Sequence, residues 1–455
     1  MTRYLCVAML LDGKLSSSAV FRVLEEKYRA VATSPGVDLA AVLKYALAAR
    51  RWQRVRDGVL ALLILGVFVI PYGILGLLIL AFTVVAVEMY LTYKLVIFPL
   101  LSRDAFDPAA APRPGSSRVE ERIADIASRA RGNVSVFANY LPFTGHGEVI
   151  NKWSFALNVA KPEEGKQVIP FQVSELYDHV AAEVGKLGLP GVSVENKLFV
   201  NGLDLRHGPD PQVRQAVLPD PMAAPVPQVD ESFIKALRDD PESHARPYLV
   251  ISVMGWDGEL VLSVFLRFAL LPRRDLLFVE AGYSLLPPLR ERYRKVDDLV
   301  NCSPLRQIGR IAQQAVLRTP VALLLSIPNT LNELGGPLRR RRKNKEDAKA
   351  ISDRTFNYGS TWSPRESAAD NRYHRYFQQL DKEMYVKTAE YRIMDAVAEF
   401  MTSHNIDVSD LVQRQTTILN NGIYVSGQAQ VNAQSMAAGV GAMARAGNMM
   451  KQEIG

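Results

Sequence analysis

The sequence predicts an α+β protein: a transmembrane helical hairpin, then a cytoplasmic mixed α/β domain with C-terminal helices and a low-charge, β-prone tail. Three observations predict it. From Gly58 to Val87 run 30 residues without one charge. From Asn133 onward, short alternating apolar segments are interleaved with a helical apolar pattern. Between Gln415 and Ala444 there is again no charge, but here Asn, Gln, Gly and Ala dominate. At 455 residues the chain exceeds one ordinary domain. Its mean hydropathy of zero averages a greasy block and an otherwise soluble composition.

Residues 1–56 read as a cytoplasmic strand–helix segment. Arg3–Leu11 is the expected strand, Asp12-Gly13 a turn, and Ser16–Ser18 offer caps for a helix to about Val31. Ser34-Pro35-Gly36 breaks that helix, and Asp38 caps a second one running through Arg50, Arg51, Arg54 and Arg56. The apolar start is too brief for a secretory signal, and no small-residue cleavage site follows it.

Residues 57–101 form the membrane block. About 20 helical residues cross a hydrocarbon core roughly 30 Å thick, so the block suffices for two arms. Pro71-Tyr72-Gly73 supplies the turn, between arms Val55–Ile70 and Ile74–Phe98; a single kinked span is the alternative. Basic residues flank both ends, with Lys94 and Arg103 after the block. Positive charge marks the cytoplasmic side, so both termini are expected in the cytoplasm, on a bacterial inner membrane. Glu88 is the anomaly, since an ionisable group inside lipid is a functional suspect.

That topology disposes of a tempting pattern. Leu141-Pro142-Phe143-Thr144-Gly145 fits the L-P-x-T-G motif of wall-anchored proteins. A wall signal needs its motif near the C-terminus, before a hydrophobic stretch and a basic tail. Here hundreds of residues follow. The segment reads as a strand-to-turn corner punctuated by Pro and Gly.

After a linker and short helix (102–131), the α/β domain spans 132–300. Its expected strands are "NVSVFA", "WSFALNVA", "GVSVENKLFVNG", two segments flanking Trp256–Glu259, and "DLLFVEAGY". "QVSELYDHVAAEVGKLG" is the amphipathic helix. Six prolines between Pro209 and Pro227 mark a loop, across which the sheet is expected to stay continuous. In 301–350, Ser303-Pro304 opens a helix, Pro320 kinks it, and "VALLLSIP" is too short to span a bilayer. Arg339, Arg340, Arg341, Arg342 and Lys343 follow as a polybasic run suited to anionic lipid headgroups. In 351–410 a long helix opens at Asp370, with Tyr373, Phe377, Leu380, Met384, Tyr391, Met394, Ala398 and Met401 as its packing stripe. The tail, 411–455, has period-2 alternation that places Ile423, Val425 and Val431 as assembly residues.

The search for chemistry returns little. There is no phosphate-binding glycine loop, no H-E-x-x-H and no G-x-S-x-G. The six histidines are scattered singly, and Asp370 with His374 is better read as helix capping than as a catalytic pair. Cys6 and Cys302 form no metal-binding spacing and read as structural thiols in a reducing compartment. No catalytic residue, cofactor or metal is expected. The net charge of +7 suits acidic partners. A chain already in the membrane favours anionic lipid, and no motif points to nucleic acid.

The stretch "RTFNYGSTWSPRESAADNRYHRYFQQLDKEMY" and the tail segment "TTILNNGIYVSG" resemble uncharacterised actinobacterial membrane proteins. The resemblance covers about the C-terminal quarter and the general layout, and implies no activity. The expected function is therefore a membrane-anchored, non-enzymatic interaction or scaffold protein. Its tail would mediate homo-oligomer assembly or recruit a protein partner. The alternative is a two-helix effector that oligomerises and permeabilises the membrane in stress response or defence.

Overall fold

In the computed structural model, which describes residues 1–67, 73–271, 275–300, 303–370 and 372–412, the first element is a helix, α1 (Thr2–Leu11). The expected strand Arg3–Leu11 is thus corrected. Leu5, Cys6, Val7, Ala8 and Met9 are all fully buried. A segment apolar on every side carries neither a period of 2 nor one of 3.6, so periodicity does not separate strand from helix there. Asp12 ends it and caps the next helix, α2 (Gly13–Ala19), accepting from the backbone N–H groups of Lys14 and Leu15. A π-helical turn, Val20–Leu24, extends α2, but no helix reaches Val31.

Asp38 caps α3 (Leu39–Gly66) by accepting from Ala41 N, as its position in the sequence predicts. α4 (Gly73–Thr92) returns and continues through a π-helical turn to Leu100. α5 (Ser117–Arg129) closes this part against α3 through Ile123 and Ile126. The helices share one apolar core with Leu289, Tyr293, Val296 and the inner face of α7 (Pro304–Leu334).

The sheet holds six strands in the order β1-β3-β4-β5-β6-β2: β1 (Val134–Phe137), β2 (Glu148–Asn158), β3 (Ser193–Asn201), β4 (Arg246–Gly255), β5 (Leu260–Leu270) and β6 (Leu276–Leu286). β1 and β3 are parallel and every other neighbouring pair is antiparallel. The proline-rich segment does not interrupt the sheet, because β3 and β4, on its two sides, pair directly. One face carries Leu262, Val264, Leu266 and Phe268 and is covered by α6 (Val173–Gly185) and α9 (Tyr376–Ser403).

Two expectations about the later helices are corrected in part. α7 is one helix of 31 residues that continues through both Pro320 and Pro328. Hydroxyls bond carbonyls of the turn before each proline, Thr319 to Ala315 O and Ser326 to Leu323 O, both at 2.7 Å. α9 begins at Tyr376 rather than Asp370, and only part of its expected stripe is buried. Phe377, Leu380, Met384 and Tyr391 are exposed, whereas Met394 and Met401 are fully buried as expected. Tyr373 and Ala398 are partly buried against the same core, and Ala389, Ile393, Ala396, Val397 and Phe400 complete the buried face.

Candidate membrane site

Three helices meet beside the body with inverted polarity. On α3, Val55, Val59, Leu62 and Leu65 face outward while Asp57 is 5% exposed. On α4, Ile74, Leu75, Leu78, Ile79 and Val87 face outward while Ala81, Val85 and Met89 are buried. On α7, Leu317, Val321, Leu324 and Leu331 face outward, with Ala315, Thr319, Ala322 and Ser326 inside. A helix packed in water presents the opposite arrangement. Gly73–Leu100 and Pro304–Leu334 are long and apolar enough to cross a bilayer. Hydroxyls within α4 are tied to its own backbone, Thr83 to Ile79 O and Thr92 to Glu88 O at 2.9 Å. No polar hydrogen is thereby left facing outward at those two positions.

The charges turn inward and find each other. Arg56 Nη2 lies 2.7 Å from Asp57 Oδ1, and Arg56 Nη1 lies 4.0 Å from Glu88 Oε2. Asn329 Nδ2 donates to the other Asp57 oxygen at 2.9 Å, linking α7 to α3 across 272 residues of sequence. At the base of the bundle, Glu333 pairs with Arg50, and Arg54 Nε sits 3.7 Å from it. Arg50 also donates to Ser17 Oγ at 2.6 Å. Of the four predicted arginines, Arg51 is fully on the surface and Arg54 half so; Arg50 and Arg56 are drawn into contacts.

Sequence reasoning singled out Glu88 but missed Asp57, Asn329 and Glu333. Asn329 and Glu333 stand four apart, hence on one face of α7, and that spacing was the available signal.

The polybasic run is helical. It lies in α8 (Gly336–Ser352), where Arg340 pairs with Glu25 and Lys343 Nζ is 2.5 Å from Glu26. Arg339 donates to Asn332 O, Arg342 pairs with Glu346 one turn on at 2.8 Å, and Arg341 is exposed. One side of the run therefore holds the body and the other faces out. Ile423, Val425 and Val431 lie outside the described residues.

The second face of the sheet carries the L-P-x-T-G segment. The register aligns Ser193, Ser252, Ser263 and Ser284 in one row across four strands. Phe143 stacks on Phe265 with ring centroids 3.7 Å apart, and His146 Nδ1 lies 2.9 Å from Ser263 Oγ. Burial, with Lys197 adding repulsion, pushes the His146 imidazole down to about 3, so it stays neutral. The backbone N–H groups of Gly145 and Gly147 both donate to Glu366, at 2.7 and 2.8 Å. Both glycines have positive φ, and a Cβ on either would fall about 2 Å from a backbone oxygen. The loop is a structural strap. The expected capping by Asp370 is corrected: Arg375, not Asp370, precedes the helix, and His374 Nε2 lies 2.8 Å from Leu289 O.

A family model described as the AbeC-like domain matches residues 152–433. The match runs from β2 through α7, α8 and α9, and leaves α3 and α4 outside it. No curated protein and no solved structure matches the chain.

Proposed function

The chain belongs to the AbeC-like domain family, and from that premise we propose that it is a membrane-anchored, non-enzymatic interaction protein. Its α/β body is held at the cytoplasmic face of a bacterial inner membrane, and its tail recruits a partner or further copies of the chain. The observation that carries this reading is the inverted polarity of α3, α4 and α7, apolar outside and charged inside. Burying the outward residues of such a bundle in lipid removes their apolar surface from water without exposing a charge.

Parity supports an even number of crossings. α1 and α2, before the hairpin, pack in the same core as Leu289, Tyr293 and Ala368, long after it. Both flanks of α3–α4 therefore belong to one folded body. The arginines at the base supply the sidedness argument, since positive charge is retained in the cytoplasm. The resemblance to actinobacterial membrane proteins agrees with this placement. Anionic lipid is the partner that the exposed side of α8 suits.

The test is thiol accessibility in intact cells. Cysteines introduced at Tyr140, Arg341 and Gly455 are expected to react only after permeabilisation, and one at Tyr72 without it. Reaction of Tyr140→Cys from outside overturns the topology. A second reading, a permeabilising effector, draws on the Arg56–Asp57–Glu88 cluster inside the bundle. Dye release from liposomes at increasing protein density separates the two: the anchor reading expects none.

A further inference from the structure

We propose that α7 is a helix lying in the plane of the membrane, a second lipid-binding surface beside the hairpin rather than a third crossing. The inference rests on the membrane reading above. By length and composition α7 qualifies as a span. Its connections exclude that role. The chain before it ends in Tyr293 and Val296, packed in the helical core, and in β6 of the sheet. The chain after it returns to the same body: Ile351, Phe356 and Tyr358 share a core with Val134, Val136 and Leu198, and α9 covers β5 and β6. A single crossing would put these partners on opposite sides of a bilayer.

The contacts of α7 agree. Arg318 Nη2 donates to Leu11 O at 3.2 Å, where α1 meets α2 in the body. Fifteen residues later, about 22 Å along a helix, Glu333 pairs with Arg50, also at the hairpin's base. If α7 ran alongside α3 for that distance, its far end would sit deep in the arm. Instead both contacts stay at the body end, with Asn329 reaching Asp57 between them. The helix crosses the foot of the hairpin.

The outward face fits lipid in both apolar character and charge. From Val316 to Leu334 every exposed residue is Val, Leu, Ile or Pro except Asn332. This face adjoins the outward residues of α3 and α4, because α7 packs on both helices. Exposed cations flank it: Arg306 and Arg310 before, Arg339 to Arg342 after. An apolar face with basic ends is the pattern of a helix seated at the headgroup–acyl boundary, buried about 5–10 Å deep. The occupant is thus an anionic bilayer surface.

Depth measurement tests this in the full-length protein. With Cys6→Ala and Cys302→Ser as background, a bimane label is placed at Leu317→Cys, Leu324→Cys or Leu331→Cys in phosphatidylglycerol-containing liposomes. Lipids carrying nitroxide quenchers at shallow and deep positions then read each depth. The three depths are expected to agree within about 5 Å, all shallow. A crossing helix would instead separate neighbouring positions by about 10 Å, and that result overturns the proposal. Iodide quenching from water as strong as that of free dye overturns it as well. Labels at Leu62→Cys and Ile79→Cys keep the two readings apart. Lipid depth there with water exposure on α7 refutes only the in-plane helix; water exposure at both sites refutes the membrane reading itself.

Discussion

Replacing Asp57 with alanine tests whether the inward charges hold the bundle together. Asp57 is 5% exposed and is the shared partner of Arg56 and Asn329, at 2.7 and 2.9 Å. Removing it leaves the Arg56 guanidinium with Glu88 alone, at 4.0 Å. Deleting one member of a buried ion pair costs about 3–5 kcal/mol, because the surviving charge stays desolvated. Asn329→Ala removes one hydrogen bond to a charged group, worth about 1.5–3 kcal/mol. The two losses overlap, since Asp57→Ala already deletes that bond. The double variant is therefore expected to fall short of the sum by about 1–2 kcal/mol. Unfolding in mixed micelles, followed by far-UV circular dichroism, gives all four corners of the cycle. Asp104→Ala, in the turn after the hairpin, serves as an exposed control. A loss under about 1 kcal/mol for Asp57→Ala, or strict additivity with Asn329→Ala, would refute the claim that this cluster joins α7 to α3.

Three further outcomes follow from the geometry. Gly147→Ala puts a Cβ 2.0 Å from Leu285 O at φ +89, whereas Gly165→Ala at φ +75 meets nothing within 4 Å; the first should lower Tm several degrees more than the second, whose strain alone is about 1 kcal/mol. Equal shifts would mean that the strap is not clamped. Replacing Arg339, Arg341 and Arg342 with glutamine should reduce co-purified anionic lipid, at about 1 kcal/mol per residue, while the protein stays in the membrane fraction; lipid phosphate assayed by mass spectrometry decides. His146, held neutral down to about 3, binds its proton in the unfolded chain first. Its contribution is therefore complete above the unfolded value near 6.5 and declines as pH falls toward 3, by about 2 kcal/mol at pH 5. His146→Gln should flatten that part of the stability–pH curve, and an unchanged slope would remove His146 as its source.

The helices of the apolar block and the sheet were legible because each rests on local pattern. Thirty uncharged residues have few alternatives to a membrane or a core, β4 and β5 announce themselves by apolar, β-branched runs on either side of Trp256–Glu259, and β6 by "DLLFVEAGY". What stayed hidden depends on distant partners. α1 is buried on all sides by residues far along the chain, so its own sequence holds no periodic signature. The face of α9 is chosen by α6 and the sheet. Asp57 acquires its meaning from Asn329, and the glycines of the L-P-x-T-G segment from Glu366 and Thr33. Pro320 was read as a limit on span length, yet α7 continues through it for 14 residues more, which local sequence does not announce.

The same cluster bears on the choice between anchor and effector. A conduit needs polar groups that line a wetted path. Among the described residues, Leu60, Ala61, Ala81, Val85 and Ala322 face inward between α3, α4 and α7 together with the polar Asp57, Thr319 and Ser326, none more than 8% exposed. Those three polar side chains are hydrogen-bonded within the bundle. The charged groups beside them are committed to one another: Arg56 to Asp57 and Glu88, Arg50 and Arg54 to Glu333. Packing of this kind excludes water rather than guiding it. On the proposed reading, one copy of the chain acts as an anchor. Permeation would require several copies to break these pairs and re-form them around a shared axis, at the same cost that Asp57→Ala measures. A variant weakened at Asp57 that still releases no dye at high density would leave the effector reading without its remaining support.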